Sequence, residues 1–173
     1  SKVFAATGVR VGWSFGPATV ISKMKAILTH LGAWAPMAEQ KATAHFLGNR
    51  EAIRKYLAHF KTELEERLHS IYNGFMQLKK EGLPVDAISP EAAIYLTIKI
   101  DLTGKKTAQG VVLKDQSEVT AYVLNEAKLA VVPFYAFGAS RSSAWYRLSV
   151  GTCKKEEIDE MIGKLREALK KLS

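Results

Sequence analysis

Ile94-Tyr95-Leu96-Thr97-Ile98-Lys99-Ile100 puts an aliphatic side chain at every even position and a more polar one between. Period two over this length predicts a half-buried strand with its even positions facing a core. The preceding stretch has the opposite grammar. From Arg50 the apolar residues Ile53, Leu57, Phe60, Leu64, Leu68, Ile71, Phe75 and Leu78 recur every three or four positions, and Gly82-Leu83-Pro84 closes the run. That pattern predicts one long helix over 50–82, spanning roughly 45 Å at 1.5 Å per residue. Such a length exceeds the width of a small domain, so the helix is expected to run from one domain into another, and Gly74 offers a place for a bend.

Working outward, Ser117 is a candidate cap for a helix holding Val119, Val123, Leu124 and Ala127, after a polar loop from Thr103 to Gln116. Leu129 to Pro133 reads as a short strand that proline ends or places at an edge. Phe137 to Ser143 is a turn, Trp145 to Val150 a further strand, and Thr152 a candidate cap for a closing helix. Ile158, Met161, Ile162, Leu165, Leu169 and Leu172 make one face of that helix. Toward the amino end, Val9, Val11 and Trp13 alternate with Arg10, Gly12 and Ser14, which predicts a short strand ending at Gly16-Pro17. Pro17 suits the first position of a helix. Val20, Ile21, Met24, Ile27, Leu28 and Leu31 follow at helical spacing up to Gly32, and an Ala-rich helix from Met37 to Leu47 comes after the Trp34-Ala35-Pro36 break. Asn49 suits the cap of the long helix. The expected class is α/β, in three parts: 1–49, the helix 50–82, and a small α/β sandwich over 83–173.

The chain has 173 residues, enough for a substantial core. Apolar residues make up 47% and charged ones 24%, which excludes global disorder. No apolar run approaches the roughly 20 residues that cross a bilayer. Twenty-five Lys and Arg against 17 Asp and Glu give a net charge of +8. The basic residues are scattered in short clusters without interleaved aromatics, so neither nucleic acid nor a membrane is an expected partner, whereas small anionic ligands fit. One cysteine, Cys153, excludes an internal disulfide and a cysteine-cluster metal site. Beside a helix start its thiol is a candidate for a lowered pKa, with a plain small residue as the alternative. His30, His45, His59 and His69 offer no pair four residues apart on one helix, so no metal site is expected. The cytoplasm is the expected compartment.

Two places carry chemistry. In Gly8-Val9-Arg10-Val11-Gly12, glycines let a ligand approach the backbone while the guanidinium offers a planar fork suited to phosphate, with Lys2 eight residues upstream. In Trp145-Tyr146-Arg147-Leu148-Ser149-Val150, alternation puts Arg147 on the face opposite Tyr146, Leu148 and Val150. An arginine there suits a bidentate carboxylate, or equally an edge strand paired with a surface acid.

Ser1-Lys2-Val3-Phe4-Ala5-Ala6-Thr7-Gly8-Val9-Arg10-Val11-Gly12-Trp13 closely resembles the cofactor-lysine segment of fold-type-I pyridoxal-phosphate-dependent aminotransferases of class I/II, the aspartate aminotransferase-like group. Ala35 to Gln40, the long helix, Pro90-Glu91-Ala92-Ala93-Ile94-Tyr95 and Tyr146 to Gly151 follow in that family's order and approximate spacing. The resemblance implies the end of the large cofactor domain, a connecting helix and the small domain. It implies a Schiff base between Lys2 and pyridoxal 5'-phosphate, with the same lysine shuttling protons. Arg10 would pair with the cofactor phosphate and Arg147 with the substrate's α-carboxylate. The implied partners are an amino acid and a 2-oxo acid, in a homodimer when intact. A carbon–sulfur lyase or a cyclopropane-forming synthase on the same scaffold is the alternative, and a basic nucleic-acid-binding module a remote one.

The chain departs from the family at Gly32-Ala33-Trp34, where a Ser/Thr-Ser-Asn-like run is frequent, so side-chain preference does not carry over. It departs again at Ala92, where glycine is common. The family's phosphate-wrapping loop, ring-stacking aromatic and pyridine-pairing Asp precede the lysine and have no counterpart in these residues. The expectation is therefore the C-terminal portion of a larger enzyme, poorly active or inactive alone.

Overall fold

Four short strands account for the alternating segments: β1 (Val85–Ala87), β2 (Tyr95–Ile100), β3 (Val132–Pro133) and β4 (Trp145–Ser149). In the computed structural model, which describes residues 2–151 and 153–173, they form one antiparallel sheet in the order β1-β2-β4-β3. The register sets Tyr95 opposite Ser149, Thr97 opposite Arg147 and Lys99 opposite Trp145. Five α-helices accompany the sheet: α1 (Ala18–Leu31), α2 (Met37–Gly48), α3 (Arg50–Lys80), α4 (Gln116–Ala127) and α5 (Ile158–Lys170). The chain divides into two compact units, Ser1–Lys61 and Thr62–Ser173, so the dividing line falls inside α3 rather than at either of its ends.

The second unit owes its core to the two periods meeting. The even positions Leu96, Ile98 and Ile100, with Tyr146 and Leu148 from β4, are buried on one face of the sheet. They join Leu68, Ile71, Phe75 and Leu78 of α3, Val119 and Val123 of α4, and Ile158, Ile162, Leu165 and Leu169 of α5 in one hydrophobic cluster. Tyr122 of α4 donates its hydroxyl to the carbonyl of Ala168 in α5 at 2.8 Å. Arg166 Nε donates to Glu81 at 2.8 Å, tying α5 to the end of α3, and that bond holds the Glu81 carboxyl below its usual range. The opposite face of the sheet carries Tyr95, Thr97, Lys99, Trp145, Arg147 and Ser149, none of them buried.

The end of α3 shows why the sequence stops a helix there. Gly82 is left-handed (φ +81), its N–H reaches Lys79 O at 3.0 Å, and Leu83 N–H reaches Leu78 O at 3.1 Å. These two bonds satisfy carbonyls that the last turn would otherwise leave unpaired. Pro84 follows, where the helix has no use for another donor. The start of α3 is as expected, with Asn49 Oδ1 accepting from Ala52 N–H at 3.1 Å.

The long helix runs unbroken from Arg50 to Lys80 through Gly74. A Cβ there would lie 2.6 Å from Cγ1 and 2.7 Å from Cδ1 of Ile162, so the missing side chain is what lets α5 come close. Gly74→Leu should therefore destabilise the second unit by about 2 kcal/mol, within the usual range for overpacking. Urea denaturation of Gly74→Leu, Ile162→Ala and the pair would show the double variant losing less than the sum of the singles. Strict additivity would mean that the two residues do not share this space.

Several local expectations are corrected. Val9–Trp13 is not a strand: Thr7–Val9 is a single 3₁₀ turn followed by irregular chain. Alternation alone makes no strand, because the backbone needs a ladder partner, and among the described residues no strand lies beside it. Pro17 precedes α1 as its N-cap instead of opening it (ψ +136). Asp115, not Ser117, caps α4, accepting from Ser117 N–H at 2.8 Å and Glu118 N–H at 3.0 Å. An anionic acceptor suits the positive end of the helix better than a hydroxyl. The strand foreseen from Leu129 shrinks to Val132–Pro133, because Lys128 turns the chain through a left-handed conformation (φ +55) and Pro133 withholds a donor. It does lie at a sheet edge. Thr152 lies outside the described residues. Sequence reading also passed over β1, and with it a buried polar chain. Tyr146, fully enclosed, donates its hydroxyl to Gln116 Oε1, and Gln116 Nε2 donates to Thr103 Oγ1 at 3.0 Å. Burial pushes the Tyr146 phenol up to about 12.

The first unit is built differently. None of its described residues is buried. Along α1 the apolar stripe Val20, Met24, Ile27, Leu28 and Leu31 stays exposed. Gly32, left-handed at φ +63, ends the helix as expected.

Candidate functional site

Lys2 and Arg10 belong to the first unit and Arg147 to the second. Both cations of the first unit are exposed. Lys2 opens a turn in which its carbonyl accepts from Ala5 N–H at 3.3 Å. Arg10 ends the 3₁₀ turn in a left-handed conformation (φ +57), and its Nη1 donates to Thr7 O at 3.3 Å. Among the described residues neither side chain forms an ion pair with a carboxylate of the chain. The glycines on either side leave room: a Cβ on Gly8 or Gly12 would meet nothing within 4 Å. An amine and a guanidinium on one short segment, neither paired with an anion among the described residues, suit an anionic ligand.

A cavity of about 330 Å³ lies beside this segment, between it and α2. Its lining is apolar and includes Phe4, Val9, Val11, Trp13 and Phe46, while Lys2 and Arg10 take no part in it. Phe4 and Phe46 meet edge to face with centroids 5.5 Å apart. On the far side of the Trp34-Ala35-Pro36 break, Gln40 Nε2 donates to Ala35 O at 2.6 Å, so the side chain that follows the break also fastens it.

Arg147 sits in β4, which has a neighbour on each side, so it is no edge-strand residue. Nor does it pair with an acid among the described residues. Its Cζ lies 4.4 Å from the ring centroid of Tyr95 and 4.5 Å from that of Phe137, so the guanidinium lies over two aromatic rings. Tyr95 comes from β2, two positions from the residue opposite Arg147. Phe137 comes from the 3₁₀ turn Phe134–Phe137, which Gly138 closes at φ +92. Alternation could have found Tyr95, which shares the outward phase of Arg147 in the neighbouring strand. Nothing periodic marks Phe137. Arg141 lies 5.9 Å from the ring of Tyr135 on the same turn. Cys153 has no activated thiol: burial first, then the charge of Glu157, pushes its pKa up. Among the described residues no helix is long and apolar enough to cross a membrane.

Comparison with known proteins gives this geometry a context. The family model for aminotransferase class I and II matches residues 1–165. The probable aspartate/prephenate aminotransferase of Rickettsia bellii is 29% identical over 169 residues, covering 97% of this chain and 40% of the relative. The aspartate aminotransferase of Rhizobium meliloti (strain 1021) is 29% identical over 175 residues, covering 100% and 40%. Among solved structures, the aspartate aminotransferase from Rhizobium meliloti superposes with a TM-score of 0.80 at 27% identity, covering 99% of this chain and 40% of that one. The aromatic aminotransferase from Pyrococcus horikoshii gives 0.79 at 27% identity, covering 98% and 41%. The chain thus spans about 40% of the length of the curated relatives it matches.

Proposed function

We propose, from the premise that this chain belongs to the aminotransferase class I and II family, that the protein at its relatives' length is a pyridoxal 5'-phosphate-dependent transaminase. It would move an amino group from an amino acid to a 2-oxo acid. The single observation that carries the proposal is the family match over residues 1–165, which takes in all three cationic candidates. The relatives reported above are aminotransferases, which does not favour a carbon–sulfur lyase, a cyclopropane-forming synthase or a nucleic-acid-binding module. The same membership supports a homodimer working in the cytoplasm.

The donor chemistry of Lys2 and Arg10 fits the cofactor. Bound, that cofactor supplies the electron sink for the bond broken at the substrate's α carbon. Everything else falls to the chain. Lys2 would hold the cofactor through Nζ and carry a proton to and from the α carbon. Arg10 would hold the phosphate with a charge that pairs with no acid among the described residues. Arg147 grips the α-carboxylate in its plane, and so fixes the direction of the α C–H bond relative to the rest of the substrate.

Reduction with borohydride in the presence of pyridoxal 5'-phosphate, followed by peptide mapping, tests the assignment. In the protein at its relatives' length the label is expected on Lys2. Label spread over the surface lysines, with none enriched at Lys2, would remove Lys2 from its role.

A further inference from the structure

A guanidinium usually offers a ligand two kinds of surface, its flat faces and its rim of N–H donors. In Arg147 the guanidinium lies over two rings, its Cζ 4.4 Å from the centroid of Tyr95 and 4.5 Å from that of Phe137. We propose that the two rings cover the flat faces of this guanidinium and leave it only its rim, so that Tyr95 and Phe137 are positioning residues that make Arg147 a receptor for planar carboxylates in preference to tetrahedral oxyanions. The proposal rests on the assignment of Arg147 to the substrate carboxylate and adds what enforces that choice.

Three observations support it. Arg147 has no acidic partner among the described residues, so its charge is not spent inside the chain. The guanidinium lies over both rings, where attraction comes from the electron-rich ring surface, and a guanidinium stacked flat on such rings keeps its in-plane donors available. A carboxylate placed in that plane accepts two parallel bonds and has no further oxygen. A phosphate set the same way carries extra oxygens above and below the plane, toward ring surfaces that repel anions and exclude their water. The rings are themselves placed by turns. Ala93 is left-handed (φ +67) two residues before Tyr95, and Gly138 is left-handed directly after Phe137. Phe137 is 56% exposed, so it can be changed without opening the core.

The test is a titration of the 173-residue chain, followed by NMR at the Arg147 side-chain Nε–H, with pyruvate and with inorganic phosphate as probes at one pH. Without ligand, the resonance should show the upfield ring-current shift of a group stacked between aromatic faces, and Phe137→Leu should remove part of it. Pyruvate should move the resonance of the unaltered chain at lower concentration than phosphate does. Phe137→Leu should weaken pyruvate by roughly three- to tenfold, the size of one partly exposed cation–π contact, and narrow its advantage over phosphate. Phe137→Tyr should restore both, and Tyr95→Leu, if folded, should act as Phe137→Leu does. If pyruvate binds but Phe137→Leu changes neither its affinity nor its preference, while the ring-current shift diminishes, the rings are packing and the proposal falls alone. If neither probe moves the Arg147 resonance in the unaltered chain, the carboxylate assignment falls with it.

Discussion

Lys2→Ala, introduced into the protein at its relatives' length, should lower the rate of amino transfer by at least about 10³-fold, because one residue supplies both the hold on the cofactor and the proton transfer. Lys2→Arg should be as inactive. It keeps a positive charge on a long stem, but a guanidinium gives up no proton at neutral pH. The contrast separates charge from chemistry. Were charge alone required, Lys2→Arg would keep a large share of the activity. Measuring 2-oxo acid formed from an amino donor, with circular dichroism to show that both variants fold, decides it. A Lys2→Ala protein within tenfold of the parent rate would place the reacting amine elsewhere.

The second large effect concerns stability. Phe75 of α3 is fully buried in the hydrophobic cluster of the second unit, whereas Phe15 is 92% exposed. Phe75→Ala should cost the second unit about 3–5 kcal/mol, from lost transfer energy and the cavity left behind. That is a large part of the roughly 5–15 kcal/mol that holds a typical domain. Phe15→Ala in the same chain should change stability by no more than about 0.5 kcal/mol, as a surface substitution does. Denaturant titration followed in the far ultraviolet reads both. A Phe75→Ala chain that loses less than about 1 kcal/mol would mean that the packing around this ring readily collapses onto the gap.

Much of the second unit was open to sequence reading because its signals are physical and redundant. The even positions of Leu96, Ile98 and Ile100 could face only one way, and the stripe from Leu64 to Leu78 had to meet them. The same alternation assigned Arg147 correctly to the face away from the core. Where sequence reading failed, the deciding term lay elsewhere in the chain. Val9 to Trp13 alternates as well as β2 does, but pairing depends on a neighbour that a local pattern cannot reveal. Asp115 outcompetes Ser117 as a cap by charge, a difference that a list of permitted capping residues does not rank. At Gly74 the close approach of Ile162 left no local mark, because that residue is far away in sequence. The ring contacts of Arg147 were half legible. Tyr95 follows from phase once β2 and β4 are paired, but Phe137 depends on a turn closed by Gly138. Of the first unit, the sequence shows which residues carry charge and the family resemblance says what those charges hold.

A consequence for measurement follows from the unburied side chains of residues 2–61. Helices α1 and α2 lack the interior packing that makes a globular unit melt all at once, so their amide protons should exchange with solvent through local fraying while those of β2 and β4 remain protected. A calorimetric scan of this chain would then combine a shallow, gradual uptake of heat with one sharp transition, and a single van't Hoff enthalpy fitted across both would describe neither.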